Sequence, residues 1–165
     1  PYTDANSFLA SVPTSVSEVA RFDPPTQTWV TQPRGGANNF TLVKGEGLQI
    51  KIDNSLGLPT TTITIYGTND LSFTFNLTNL GLHLISIPYD AAYTDAQSIV
   101  NDINGSPVPG TCIRIRRINP QAQTVEFYRW VSSVNVWAGT NFNFAPGEGY
   151  EINITGPTNW KPSVY

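Results

Sequence analysis

The stretch "NFTLVKGEGLQIKI" at residues 39–52 returns as "NFNFAPGEGYEINI" at residues 141–154. In both, an Asn-Phe pair leads into Gly-Glu-Gly and then into five or six residues of alternating polarity. Glycine reaches positive φ without a Cβ clash, so each Gly-Glu-Gly reads as a tight turn. "LQIKI" and "YEINI" alternate with period two, the pattern of a strand with one buried face. The chain is therefore a β-protein, and it states its closing strand twice.

Two further blocks repeat in the same order. "YTDANS" at residues 2–7 matches "YTDAQS" at 93–98, and "RFDPPTQT" at 21–28 matches "RINPQAQT" at 117–124. Asp95 follows Asp4 by 91 residues, Pro120 follows Pro24 by 96, and Gly147 follows Gly45 by 102. Ordered matches with slowly growing offsets are what a duplication with loop insertions leaves behind. "TDANSFLASV" and "TDAQSIVNDI" read as short helices opened by a Thr or Asp cap, the first cut short by Pro13. "DPPTQT" and "NPQAQT" read as hairpin turns. Between the copies, "TTTITIYG", "LSFTFNL" and "LHLISIP" read as a three-strand meander. The fold expected is all-β: two related sandwich or barrel-like modules in tandem, with one or two short helices. Residues 1–78 form the first module, 79–154 the second, and 155–165 a C-terminal tail strand.

The copies differ in one respect. "LHLISIP" runs ahead of the second, and nothing comparable stands ahead of the first within the given sequence. A module short of its opening strand has an unpaired edge that invites another strand. The tail, "TGPTNWKPSVY", is the segment expected to fill it, beside residues 2–7, either in its own chain or in a neighbour. Trp160, Val164 and Tyr165 would be its buried side chains, with Pro157 and Pro162 confining it to an edge.

The second copy, from "LHLISIP" through "RINPQAQT" to "FAPGEGYEINI", resembles a repeat module of secreted and surface-anchored bacterial and archaeal proteins. In that module a strand like "WNLISIP" opens the unit and an "NFxLxPGxGYxI" segment closes it. The resemblance covers residues 82–154 well and 2–52 in part. It implies an extracellular β-module and says little about ligands.

Composition agrees with that setting. Charged residues make up 13% of the 165, about half the usual share, and Thr, Asn and Ser take the polar positions. A net charge of −3 argues against a nucleic-acid partner, which demands a basic stripe. "RIRRI" at 114–118 alternates in strand period and reads as a solvated face. No run of 18 apolar residues is present, so no membrane span is expected. The start at Pro1 suggests a processed product or a piece of a longer chain.

Residues able to carry chemistry are few. Cys112 is the single cysteine and His83 the single histidine, so no intrachain disulfide and no Cys/His metal site is expected. Cys112 reads as a small buried hydrophobe, and His83 as a structural strand residue. Glu46 and Glu148 are a repeated acidic pair, yet equivalent turn positions account for them without glycosidase chemistry. Asp4 and Asp95 lack the neighbouring oxygens of a calcium loop and read as helix caps. No enzyme activity and no cofactor is expected. Trp29, Trp130, Trp137 and Trp160, with Tyr128 and Tyr150, read mainly as packing groups, or as a platform for sugar rings. Four sequons offer glycosylation sites at Asn39, Asn76, Asn104 and Asn153, with Asn104 favoured for its turn. The function expected is that of a structural subunit in an extracellular filament or surface layer, a homopolymer built by strand addition and interface packing. The alternatives are a secreted glycan-binding module with a polysaccharide partner, and a viral capsid or tail component.

Overall fold

The computed structural model describes residues 2–53, 55, 63, 70, 72–106, 110–119 and 122–164. In chain order its elements are α1 (Ala5–Ser11), β1 (Val16–Asp23), β2 (Thr28–Pro33), β3 (Leu48–Ile52), β4 (Phe75–Leu77), β5 (Gly81–Ser86), α2 (Ala96–Asn104), β6 (Cys112–Asn119), β7 (Thr124–Val131), β8 (Val136–Gly139), β9 (Gly149–Ile154) and β10 (Thr158–Trp160). The protein is all-β with two short helices, and its strands form three antiparallel sheets ordered β2-β1-β3, β5-β9-β6-β7-β8 and β10-β4.

The repeated sequence blocks make repeated structure, down to single bonds. Asp4 caps α1 and Asp95 caps α2, each closing a capping box with the serine three residues on. Asn39 Oδ1 accepts the Asn6 N–H at 3.0 Å, and Asn141 Oδ1 accepts the Gln97 N–H at 2.8 Å. Gln27 and Gln123 take φ of 54° and 53° in the two hairpin turns, and Gly45 and Gly147 take 81° and 83° in the two Gly-Glu-Gly turns. Even the irregularities match: β1 shifts register between Val16 and Glu18 against β3, and β6 between Cys112 and Arg114 against β9. A β-bulge conserved between the copies is a built feature of the unit.

Each unit has its own core. In the first, Phe8 and Leu9 of α1 pack on Val16 and Val19 of β1, with Phe40 alongside. In the second, Ile99, Val100 and Ile103 of α2 lie against Ile115, Tyr150, Ile152 and Ile154 of the five-stranded sheet. The β4–β10 ribbon completes that second layer through Phe75, Leu77 and Trp160. Where a sandwich would place a second broad sheet, this unit places a helix and a two-stranded ribbon.

The meander expected between the copies takes another form. β4 pairs with β10, in the register Phe75 to Trp160 and Leu77 to Thr158, and not with β5. Both edges of β5 are engaged elsewhere. One edge pairs with β9 over six residues. The other meets the first unit's turn: the Gly47 N–H donates to Leu84 O at 2.9 Å, and the Ser86 N–H donates to Gly45 O at 2.9 Å. Gln27 extends this contact by accepting the Leu82 N–H and donating to Leu82 O, as a strand backbone would. Most of "TTTITIYG" lies outside the described residues; Ile63 packs against the first core.

Candidate assembly surfaces

The tail departs from its expected place. It seats on the second unit of its own chain and not beside residues 2–7. Trp160 is 3% exposed, and its ring stacks on Phe75 at 5.0 Å between centroids. Its indole N–H donates to Asp102 Oδ2 at 2.7 Å. Tyr93 donates its hydroxyl proton to the same oxygen at 2.5 Å, and Ser163 donates to Oδ1 at 2.8 Å. The Ser163 N–H bonds Tyr93 Oη at 2.8 Å, Ser163 O accepts from Ala92, and Val164 bridges Ala91. Tyr165 lies outside the described residues.

The physical reason is the acceptor. A buried indole N–H needs a partner, and α2 supplies one in Asp102, whereas the aligned position of α1 is Ser11. Burial raises the Asp102 pKa, but the bonds from Tyr93, Trp160 and Ser163 outweigh it and hold the carboxyl below its ordinary value. Burial, reinforced by the bond to Asp102, pushes the Tyr93 hydroxyl far above its usual range. The sequence signal for this anchor was the difference between the copies at Ser11 and Asp102. The repeat itself drew attention to what they share.

A second feature is an apolar ladder on the face of the five-stranded sheet turned away from the core. Ile118 stands opposite Val125, Arg116 opposite Phe127 and Val131 opposite Val136. Ile118 is 56% exposed, Val125 53%, Phe127 41% and Val136 46%. On the other face of the same strands the cross-strand pair Ile115 and Tyr128 looks into the core. Arg129 lies over the Phe127 ring at 5.4 Å and has no ion-pair partner among the described residues. Arg114 and Arg116, by contrast, share Glu151. Of the arginine cluster read as a solvated face, Arg117 turns inward. It bonds Glu126 at 2.8 Å and Glu148 at 2.9 Å, over the Phe142 ring.

A third feature is the outer edge of β3. The matching edge of β9 carries β5, whereas β3 pairs only with β1 among the described residues. An open groove of about 410 Å³ lies over the β1–β3 pair, lined by Gln49, Ile50, Lys51 and Ile52 of β3, Glu18 and Ala20 of β1, and Gln123.

The remaining candidates fall as follows. His83 is 5% exposed, with Nε2 2.7 Å from the carbonyl of Asn79. Glu46 faces Arg21 at 3.6 Å, as Glu148 faces Arg117 in the second copy. Burial pushes the Glu46 carboxyl above its usual value, against the pull of Arg21. Cys112 is fully buried, and burial pushes its thiol up to about 12. Trp29 is 46% exposed and meets Phe22 edge-on. Trp137 stacks on Tyr128 and meets Trp130 edge-on.

The favoured sequon is displaced by its own hydrogen bonds. Asn104 Nδ2 donates to Cys112 O at 2.9 Å and Oδ1 accepts the Cys112 N–H at 2.7 Å, so the amide is committed at both ends. Asn39 serves the N-terminus of α1, as Asn141 serves α2. Asn153 sits half-buried in β9, flanked by β5 and β6. Asn76 is exposed on β4. Among the described residues no cluster of His, Cys, Asp and Glu is placed to hold a metal, and no helix is long and apolar enough to cross a membrane. Comparison with protein families, with curated proteins and with solved structures finds no match.

Proposed function

We propose that this chain is a structural subunit of an extracellular filament or surface layer, and that its activity is self-association. The observation that carries the reading is the ladder of Ile118, Val125, Phe127, Val131 and Val136. On this outward face Ile118, Val125 and Phe127 form one apolar cluster and Val131 with Val136 another, with Arg116 beside Phe127 and the Arg114–Arg129 row between the clusters; exposed apolar clusters of this kind mark a surface meant to be covered. Burying the exposed part of Ile118, Val125, Phe127 and Val136 contributes about 1 kcal/mol apiece, enough in sum to support association once entropy costs are met. The sparsely charged, Thr- and Asn-rich composition supports a location outside the cell.

The tail contributes to assembly only indirectly in this reading, by closing the second unit's core and so holding the ladder's sheet rigid. The experiment is sedimentation velocity across a concentration series, with electron microscopy of the fractions. The wild type elongates into polymers, and Val125→Lys, which touches only the outer face, stays monomeric. A wild type that remains monomeric throughout, or a Val125→Lys variant that assembles equally well, overturns the proposal. Exposed Trp29 favours one second reading, polysaccharide binding. It predicts that Trp29→Ala abolishes retention on insoluble polysaccharide and leaves particle size unchanged.

A further inference from the structure

We infer that the ladder is covered by an unlike, acidic surface of a second copy of this chain, with the arginines among its apolar clusters setting the fit. The inference rests on the assembly reading above and names the kind of surface that the next subunit brings. Arg114, Arg116 and Arg129 share the outward face, because they alternate in step with Ile118, Val125 and Phe127 along β6 and β7. Glu151 is the carboxylate beside them, and it already serves both Arg114 and Arg116. Arg129 is exposed and stands directly opposite Arg114, a like-charge pair that weakens a sheet. All twelve Asp and Glu side chains of the chain lie among the described residues, and none of them pairs with Arg129. Arg114 Nε is buried without an acceptor. The face therefore holds positive charge that the single chain does not balance.

Charge decides which surface fits. Three arginines and one glutamate leave this face with a net +2, and the whole chain carries −3, so the remainder of the chain carries −5. Two ladders face to face would set +2 against +2 in a contact shut off from water, where unbalanced charge is costly. The other surfaces of the next copy are acidic in sum. A carboxylate there can pair with Arg129 while the apolar clusters on either side are covered. Such a contact joins two different patches, so it repeats head to tail and grows an open polymer from one interface. A bare ladder then remains at one end only.

Two measurements test it, the first on the wild type alone. Between unlike surfaces, raising sodium chloride from about 0.05 M to about 0.5 M screens an attraction, and the critical concentration for assembly should rise on the order of ten-fold. Between two ladders the same salt screens a repulsion, and the critical concentration falls. The second measurement uses Val125→Lys as a cap. This variant loses its ladder and keeps its acidic surface, so it seats on a wild-type ladder and offers the next copy nothing. Mixed with wild type at about one part to five, it should shorten the polymers by about two-fold or more in electron micrographs. A critical concentration that falls or stays level with salt, or polymers of unchanged length in the mixture, overturns the inference and leaves self-association standing in another geometry. Wild type that stays monomeric at every concentration overturns the assembly reading along with it.

Discussion

Truncating Trp160 to alanine tests the tail's seat most directly. The side chain is 3% exposed, stacked on Phe75, and donates to Asp102 at 2.7 Å. Removing a buried tryptophan of this kind costs about 3–5 kcal/mol, because the cavity between α2 and β4 cannot fully collapse. For a chain of this length each kcal/mol moves the melting temperature by about 2–4 °C, so a drop of about 12 °C is expected, within roughly 6–20 °C. Trp160→Phe keeps the ring stack and loses only the indole N–H. A hydrogen bond to a charged group is worth about 1.5–3 kcal/mol. Asp102 retains Tyr93 and Ser163, which places this variant near the lower limit. Trp29→Ala, at a half-exposed site, should cost about 1 kcal/mol or less. The assay is thermal melting followed by far-ultraviolet circular dichroism on all four proteins. The reasoning fails if Trp160→Ala melts with the wild type, or if Trp29→Ala costs more than Trp160→Ala.

Gly47 and Gly149 are equivalent residues with opposite expected tolerance. A Cβ on Gly47 would lie 2.7 Å from Leu84 Cγ and 2.9 Å from Ile85 O, whereas on Gly149 its nearest neighbour is 3.9 Å away. Gly47→Ala should therefore destabilise by about 1–3 kcal/mol through overpacking, and Gly149→Ala should be near neutral in the same denaturant titration. Asp102 has a depressed folded pKa, so its contribution is present above the ordinary aspartate value of 3.8 and is lost as pH falls through the lower folded value. Melting temperatures of wild type and Asp102→Asn should draw together as pH falls below the ordinary aspartate range, while the wild type stays more stable at pH 6. Expressed in a host that glycosylates secreted proteins, the chain should carry glycan at Asn76 and none at Asn104, as intact-mass and peptide mapping will read.

Much of this molecule is written in short stretches. Asp4 and Asp95 cap their helices because a carboxylate three residues before a free N–H satisfies it locally. Gly45 and Gly147 turn the chain because, without a Cβ, they take positive φ at no steric cost, and "LQIKI" and "YEINI" show their buried face by alternation. These rules act over three to eight residues, so two copies of the same words gave two copies of the same unit. What the residues did not disclose was which side chains answer one another at a distance. Trp160 meets Asp102 across 58 residues, and β10 chose β4 because a buried indole follows its acceptor, which only the second helix supplies. Asn104 looked like an open turn until Cys112 closed on both ends of its amide. The outward ladder of β6, β7 and β8 was hidden for the same reason: strand alternation separates two faces, and only the packing of α2 decided which face is the core.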